Sequence, residues 1–581
     1  MNTRRGFIQS GSALAATMAF DGLKSVVAQE NETAPRPNII LILADDMGYS
    51  DIGCYGSEIE TPNLDALASN GLRFSSFYNN PRCCPSRASL LTGLYSHQVG
   101  FGLMADDYGK YPYPAYKGDL SANCVTLAEA LRPGGYRTAM VGKWHLTPPE
   151  LESKHNWPMQ RGFDRFYGTI AGACSYYDPA TLVDGNKHIR AGKDFYYTDV
   201  IGDHAVQFID EFTRGKEDKP FFVYTAFTSP HWPLQVAESD IAKYEERYKV
   251  GWDQIRADRH KRQIQLGLLP EKWALSERDQ RVPPWELAAY KDWEARRMAV
   301  YAAQIECMDR NIGKIISKLQ ETGADQNTLI LFMSDNGGNL EEMHDPGPLG
   351  TSALFMPHET KDGRLVHMGN LPSIMPGGED TYQSIGIPWG NVANTPFRMY
   401  KHYTQEGGIS TPLIAHWPEG VRMGKGAITH QVGHETDIMP TLLDLAGISY
   451  PKMREEQSVP NMVGSTLVPV FSGKPRKDRT IFWEHEGNSA VRMGKWKLVS
   501  KYPNYWQLYD IEADRTEFHD LADEYPERVR QMAAAYEEWA KQVGVEAWPL
   551  PGLANAEPGL MPYLRRDNQL EKYSRTDPNK H

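Results

Sequence analysis

Reactive side chains gather around two adjacent cysteines, Cys83 and Cys84, which precede a proline and an arginine. Pro85 has its φ preset near the helical value and no N–H to lose, so it suits the first turn of a helix. Cys83 is therefore predicted at a helix N-terminus, where free N–H groups and the helix dipole stabilise an anion. Arg87, one turn further on, can reach back to the same group. The spacing predicts an anion-binding site beside a cysteine.

The full run from Cys83 to Gly93, CCPSRASLLTG, resembles the CxPSRxxxLTG signature of type I sulfatases, which belong to the alkaline phosphatase superfamily. The pattern counts from Cys83, because Pro85 must lie two residues downstream, and Cys84 then fills the variable position. The resemblance implies that a maturation enzyme oxidises Cys83 to formylglycine, whose hydrate attacks the ester through a formylglycine-sulfate intermediate. The alternative is a buried thiol, or a disulfide between Cys83 and Cys84, on a helix capped by proline.

Oxygen-bearing side chains follow two apolar runs. Asp45 and Asp46 come after the run of residues 38–44, and Asp335 and Asn336 come after the run of residues 328–333. Ligands of α/β sheets bind beyond the carboxyl ends of the strands, so both pairs are expected in one crevice. Such hard donors suit Ca²⁺ better than zinc. The family resemblance assigns them, with position Cys83, to one Ca²⁺ per chain; a helix cap or turn is the alternative use of each pair.

Three further segments resemble sulfatase catalytic segments: GKWHL with Lys143 and His145, TSPH with His231, and the spacing from Lys401 to EGG. The resemblance makes these four residues and Arg87 catalytic. Taken singly, such a histidine is more often structural and such a lysine solvated.

The resemblance also implies a division of labour. Asp335 would accept the proton of the attacking hydroxyl, and His231 with Lys401 would protonate the departing alcohol. His145 would then take the proton of the second hydroxyl, so that sulfate leaves and the aldehyde returns. Ser410 stands where many relatives carry an arginine after EGG, which is expected to change local packing only.

The chain has 581 residues and a formal net charge of −12, with 41% hydrophobic and 23% charged residues. These are values of a soluble globular protein with a large domain and a smaller one. The negative charge argues against nucleic acid or an anionic membrane as the main partner. Six scattered cysteines indicate no disulfide framework, although one or two bridges remain open.

The N-terminus resembles a twin-arginine signal peptide over residues 1–28, with Arg4-Arg5 before a short apolar stretch. That stretch is too short for a membrane span, which needs about twenty residues. We expect bacterial export by the twin-arginine machinery to the periplasm or the medium, after folding and modification. The alternative is a basic, disordered tail.

Apolar runs alternate with helical patterns, which predicts an α/β fold with a mostly parallel central sheet flanked by helices. The family resemblance implies an alkaline-phosphatase-like domain over residues 37–473. Predicted strands cover residues 38–44, 137–141, 221–227, 328–333 and 412–416. Predicted helices cover residues 62–70, 285–319 and 437–445.

The remainder divides into three parts. Residues 345–397 are predicted as a long irregular excursion. Residues 474–548 resemble the C-terminal subdomain of sulfatases, an antiparallel sheet with a helix, and residues 549–581 are an irregular tail. The predicted strands of the C-terminal subdomain cover residues 480–485, 490–499 and 506–509, and its predicted helix covers residues 526–543.

The implied function is an arylsulfatase-like sulfuric ester hydrolase acting on aryl or carbohydrate sulfates. The alternatives are a phosphate or phosphonate ester hydrolase of the same superfamily, or a non-catalytic binder of sulfated glycans if Cys83 stays unmodified. Five rings in irregular segments are possible substrate contacts: Tyr177, Tyr382, Trp389, Tyr403 and His485.

Overall fold

The computed structural model describes residues 36–214, 219–344 and 355–550. The predicted signal peptide and nearly all of the predicted tail lie outside these residues. The described residues belong to one compact unit. Within them, no helix combines the length and apolar character that crossing a membrane requires.

Nineteen strands are described. They are β1 (Asn38–Ala44), β2 (Leu72–Tyr78), β3 (Arg137–Lys143), β4 (Arg165–Thr169), β5 (Leu182–Asp184), β6 (Lys187–His188), β7 (Phe221–Ala226), β8 (Thr328–Ser334), β9 (His367–Met368), β10 (Thr381–Tyr382), β11 (Ser410–His416), β12 (Ala427–Thr429), β13 (Gly433–His434), β14 (Met453–Arg454), β15 (Gln457–Ser458), β16 (Ile481–His485), β17 (Asn488–Met493), β18 (Trp496–Ser500) and β19 (Gln507–Asp510).

Twelve α-helices are described in the same residues. They are α1 (Pro62–Ser69), α2 (Cys83–Thr92), α3 (Leu127–Leu131), α4 (Tyr197–Thr213), α5 (Glu238–Ile241), α6 (Trp252–Gln265), α7 (Lys291–Glu321), α8 (Gly386–Ala393), α9 (Glu406–Ile409), α10 (Ile438–Ala446), α11 (Val468–Phe471) and α12 (Pro526–Val543).

The central sheet has eleven strands in the order β12-β2-β11-β8-β1-β7-β3-β4-β5-β6, with β13 beside β2. Its middle strand, β1, pairs in parallel with β7 and β8. Strand β11 is antiparallel to both its neighbours, and β5 is antiparallel to β4 and β6. The predicted mostly parallel sheet is confirmed, with these exceptions.

Both faces of the sheet are covered, as the continuous apolar run in β1 predicts for a buried strand. Ile40 and Ile42 join the core on the side of α4 and α7, whereas Leu41 and Leu43 join the core on the side of α2 and α10. Successive side chains of one strand thus stabilise two opposite helix layers.

The C-terminal part is an antiparallel sheet of four strands, β16 to β19, with α12 against one face. Its other face packs on the large sheet, where Trp483 contacts the Tyr78 ring at a centroid distance of 5.6 Å. The predicted antiparallel subdomain with one helix is confirmed.

Several predicted boundaries differ from the structure. Residues 490–499 were expected as one strand but form β17 and β18, because the chain turns at Gly494 with φ +59°. Helix α7 begins only at Lys291, since Tyr290 has a left-handed backbone with φ +52°. Within the described part of the predicted irregular excursion, residues 386–393 form helix α8.

Candidate active site

Cys83 begins α2, a helix whose ten residues are all buried. The preceding residue, Arg82, has an extended backbone that turns the chain into the helix. Cys83 Sγ lies 3.8 Å from Asp46 Oδ1. Burial raises the pKa of the Cys83 thiol to about 12, and the neighbouring Lys143 and Lys401 only partly oppose this shift.

The two acidic segments meet because β1 and β8 are adjacent, parallel and end at the same edge, with Ala44 opposite Ser334. The Asp46 backbone N–H donates to Asp335 Oδ1 at 3.2 Å. Asn336 Nδ2 donates to Asp46 Oδ1 at 2.8 Å. The fold therefore brings the two pairs together, as expected.

A glycine holds the second acidic segment in place. A Cβ on Gly337 would lie 1.8 Å from the Gly407 carbonyl oxygen, so only glycine allows this approach. The Gly337 N–H donates to the Gly408 carbonyl at 3.0 Å. The segment after β8 thus packs directly on the EGG segment that follows Lys401.

Three cationic side chains face the three carboxylates. Lys143 Nζ is 2.7 Å from Asp45 Oδ2, and Lys401 Nζ is 2.7 Å from Asp46 Oδ2. Arg87 Nη2 lies 2.8 Å from Asp335 Oδ2 and 3.5 Å from Asp45 Oδ1. All six side chains are at most 1% exposed, so the site is a buried and charge-balanced cluster.

The neighbours shift the pKa values of two carboxylates in opposite directions. Burial would raise the pKa of Asp46, but the charge of Lys401 and its hydrogen bond to Asp46 outweigh it and hold that pKa well below its usual range. Burial and the adjacent Asp45 raise the pKa of Asp335 to about 6, despite Arg87. Asp335 is therefore the stronger base of the two.

His231 lies between a lysine and a carboxylate. Its Nδ1 is 2.7 Å from the Trp232 carbonyl oxygen, which can only accept, so Nδ1 carries the proton. Its Nε2 is 3.4 Å from both Lys401 Nζ and Asp46 Oδ2. Burial lowers the pKa of His231 to about 3, which keeps the ring neutral at neutral pH.

His145 follows β3 with a left-handed backbone of φ +58°. Its ring packs on Gly172, where a Cβ would come within 2.0 Å. Burial, and then Lys143, lower the pKa of His145 to about 3. Its ring nitrogens make no hydrogen bond within the described residues, and Asp106 Oδ2 lies 3.8 Å from Nε2.

The acidic cluster fits a hard cation. Asp45 Oδ1 and Asn336 Oδ1 are buried and accept no hydrogen bond from any described residue. Donor atoms of Asp45, Asp46, Cys83 and His231 lie within 4.8 Å of one another. Buried oxygen atoms without partners are costly unless something binds them, and carboxylate and amide oxygens are the ligands that Ca²⁺ takes.

Every predicted site residue except His145 makes a direct contact within this cluster, and His145 stands beside Lys143. Two charged residues beside the cluster, Arg82 and Glu341, are not among the residues that the sequence predicted for the site. Glu341 Oε2 is 3.7 Å from Lys401 Nζ and accepts a hydrogen bond from the Trp232 indole. Arg82 Nη1 donates to Glu341 Oε1 at 3.1 Å. Arg82 and Trp232 have one sequence signal, adjacency to the site residues Cys83 and His231, whereas Glu341 has none.

The rings expected as substrate contacts are mostly buried. Tyr382, Trp389 and Tyr403 are at most 2% exposed. Trp389 packs edge-on against Trp252, with ring centroids 5.7 Å apart, so it is a core residue. Tyr177 is half-buried.

His485 is also fully buried, but it belongs to a cluster of charged side chains that includes His402. Its Nε2 is 3.7 Å from Glu486 Oε1, and Glu486 Oε2 is 3.1 Å from His402 Nδ1. These three residues have metal-type ligand atoms close together. Arg82, however, contacts the His402 ring, and its charge opposes a cation there.

The serine after EGG is matched by an arginine from the C-terminal part. Arg515 Nη2 donates to Ser410 Oγ at 2.7 Å, and Arg515 Nε lies 2.8 Å from Glu406 Oε2. The small Ser410 side chain leaves space for this guanidinium. These contacts tie the segment after β19 to the EGG segment.

Two family models match the chain. Residues 37–448 match the sulfatase model, and residues 397–542 match the model described as N-sulphoglucosamine sulphohydrolase, C-terminal. The first match covers the large sheet and all the clustered residues. The second spans the four-stranded sheet and α12.

Known proteins resemble the chain over most of its length. It is 32% identical to an uncharacterized sulfatase of Schizosaccharomyces pombe, over 88% of this chain and 95% of that one. It is also 32% identical to an arylsulfatase of Klebsiella aerogenes, over 80% and 98%. The crystal structure of Ps i-CgsB in complex with k-i-k-neocarrahexaose superposes with a TM-score of 0.63 at 26% identity, covering 92% of this chain and all of that one.

Proposed function

Because this chain belongs to the sulfatase family, we propose that the pocket around Cys83 is its catalytic centre. The chain is a sulfatase, an enzyme that hydrolyses a sulfate ester to an alcohol and inorganic sulfate. The observation that carries the proposal is the meeting of Cys83, at a helix N-terminus, with three carboxylates and three buried cations. Cations held in a dry site at a helix N-terminus bind a sulfate anion.

Cys83 is the residue that we propose is converted to formylglycine by a maturation enzyme. Its thiol is a poor nucleophile as it stands, because a pKa of about 12 leaves almost no thiolate at neutral pH. The hydrated aldehyde supplies two hydroxyl groups on one carbon, one to attack sulfur and one to release sulfate. The remaining tasks fall to side chains around it.

Asp45, Asp46, Asp335 and Asn336, with the oxygen at position 83, would hold one Ca²⁺. Two buried oxygens that accept no hydrogen bond within the described residues, Asp45 Oδ1 and Asn336 Oδ1, support this set. Ca²⁺ supplies a Lewis acid, which polarises a sulfate oxygen and lowers the pKa of an adjacent hydroxyl. Arg87, Lys143 and Lys401 would orient the sulfate and stabilise the charge that grows on its oxygens.

Proton transfer falls to three groups. Asp335, a carboxylate close to position 83, would accept the proton of the attacking hydroxyl. Charged Lys401 holds a proton 3.4 Å from the unprotonated Nε2 of His231, so this pair delivers a proton to the departing alcohol. Neutral His145, whose ring nitrogens make no hydrogen bond within the described residues, accepts the proton of the remaining hydroxyl as sulfate leaves.

Mass spectrometry and kinetics on one protein sample test this proposal. The tryptic peptide that begins after Arg82 is expected to carry an aldehyde in place of the Cys83 thiol. The same sample should hydrolyse 4-nitrophenyl sulfate far faster than 4-nitrophenyl phosphate, and chelation should abolish turnover until Ca²⁺ is restored. An intact thiol with undiminished sulfate release would refute it, and a preference for phosphate would favour the related ester hydrolases.

We further propose that the natural ester is a carbohydrate sulfate. Arg82, Glu341 and the half-buried Trp232 lie beside Lys401. This mixture of charged groups and an aromatic ring suits a hydroxylated sugar ring. The carrageenan oligosaccharide in the structurally similar Ps i-CgsB supports this choice. An Arg82→Gln enzyme should lose more activity on sulfated saccharides than on 4-nitrophenyl sulfate; an equal loss on both would contradict it.

Export is the last part of the proposal. The Arg4-Arg5 pair and the short apolar stretch after it support passage through the twin-arginine machinery of a bacterium to the periplasm or medium. Replacing both arginines by lysine should leave active enzyme in the cytoplasm. Unchanged secretion of that variant would contradict this route.

A further inference from the structure

A crevice of about 640 Å³ lies between the edge of the large sheet and the C-terminal sheet, apart from the residues around Cys83. Its walls come from β2, the segment after α6, the loop between β12 and β13, and the turns of the four-stranded sheet. This volume is in the range that takes a ligand of several rings.

The crevice is lined by more cationic than acidic side chains. Lys272, Arg476, Arg492 and Arg515 line it together with Asp478 and Glu512, in a chain whose net charge is −12. The excess is therefore a local feature that opposes the overall charge and favours an anionic ligand.

Part of this positive charge has no carboxylate partner. Arg492, 8% exposed, donates to the Tyr78 hydroxyl and the Gly494 carbonyl, which are neutral groups. Neither Arg492 nor the exposed Lys272 forms an ion pair within the described residues. Arg476 shares the single carboxylate of Asp437 with Arg479, at 2.9 and 3.1 Å.

The crevice also has a fixed aromatic wall. The indole nitrogen of Trp273 donates to the Glu512 carbonyl at 3.2 Å, which holds the ring in the lining. An apolar ring beside guanidinium groups matches a sugar ring that carries sulfate, since guanidinium binds such oxyanions in a bidentate manner.

We propose that this crevice is a second, non-catalytic binding site for a sulfated oligosaccharide segment, which holds the polymer while another segment is hydrolysed. The inference rests on the proposed carbohydrate substrate. Among the described residues that line the crevice there is no cysteine and no group of three carboxylates, so the centre proposed around Cys83 is not repeated there.

Hydrogen exchange of the full-length enzyme with a sulfated carrageenan hexasaccharide locates the binding. We expect protection of residues 267–273 and 475–478 in addition to the segments around Cys83. The desulfated hexasaccharide should protect neither crevice segment. Protection around Cys83 alone, or equal protection by the desulfated sugar, would overturn the proposal.

Charge reversal at the exposed Lys272 tests the same site by affinity and kinetics. Lys272→Glu should weaken crevice protection and raise KM on the sulfated polymer by about tenfold, the effect of about 1.4 kcal/mol. Its kcat/KM on 4-nitrophenyl sulfate should stay unchanged. The matched control is Lys541→Glu, at the exposed end of α12.

The outcomes separate the two proposals. Normal turnover of sulfated saccharides without crevice protection refutes the crevice alone. Protection of the crevice without turnover of any saccharide sulfate refutes the proposed substrate and leaves the binding site standing. If KM rises equally in Lys541→Glu, the change in net charge alone explains the rise in Lys272→Glu, and the binding site is refuted.

Discussion

Lys401→Met is the sharpest perturbation of the proposed centre. Lys401 is 1% exposed and stands 2.7 Å from Asp46 Oδ2, 3.4 Å from His231 Nε2 and 3.7 Å from Glu341 Oε2. Methionine keeps much of the volume and removes only the charge and the proton. Two buried carboxylates then lose their shared cation, and His231 loses its proton source.

The sizes of two effects follow, one on the stability of the protein and one on kcat. A contact of 2.7 Å corresponds to about 6 kcal/mol at an effective dielectric constant of about 20. The desolvation of Lys401 offsets part of it, so the free energy of unfolding should fall by about 3–5 kcal/mol. Loss of the proton donor should reduce kcat on an alkyl or saccharide sulfate by about 10²–10⁴-fold.

Two comparisons make the test specific. Nitrophenolate leaves with little help from a proton, so the loss on 4-nitrophenyl sulfate should be smaller than on a saccharide sulfate. Added Ca²⁺ should stabilise the variant more than the wild type, because Asp46 is left with uncompensated charge. Lys541→Met, at an exposed position, is the control. Equal losses on both esters, or unchanged kcat, would refute the assigned role.

Three more outcomes follow from the contacts. Unoxidised Cys83→Ser should release at most one equivalent of alcohol per chain in a burst assay, since it lacks the second hydroxyl; sustained turnover would contradict the scheme. Arg515→Met should lower the unfolding free energy by about 3–5 kcal/mol in urea titrations, because it leaves Glu406 with one buried cation fewer; a change near zero would show that the pair is dispensable. Burial, and then Arg479, lower the pKa of His434 from 6.5 to about 3, so the unfolded chain takes up a proton at this histidine before the folded chain does as pH falls. Between pH 7 and 5 the wild type should therefore lose about 2 kcal/mol of stability that His434→Asn retains. Parallel stability profiles of the two proteins against pH would contradict this.

The sequence predicted the parts of the site that come directly after an apolar strand or at the start of a helix. The apolar run of β1 ends directly at Asp45 and Asp46, so their position at the sheet edge could be read from periodicity. Helix α2 begins at Cys83 as Pro85 indicates. In both cases the local signal and the tertiary environment agree.

Other elements gave no such signal. Strand β2 has Ser75 and Ser76 in its middle, and both are buried by pairing and packing that a pattern of apolar residues cannot anticipate. Glu341 lies in an irregular segment and reaches Lys401 only through the tertiary fold. The crevice beside Trp273 is formed by segments far apart in the chain, so no single motif encodes it.

Charge balance at the centre couples the metal to the substrate. Without a cation, three carboxylates oppose Arg87, Lys143 and Lys401 pair by pair, and those cations are occupied by internal partners. A divalent ion at the same carboxylates would leave the three cations with surplus positive charge for the sulfate. Because linkage is reciprocal, sulfate should bind more tightly in Ca²⁺ and Ca²⁺ more tightly in sulfate, by the same factor. The acidic residues therefore serve two purposes: they bind the metal, and without it they occupy the cations that would attract an anion.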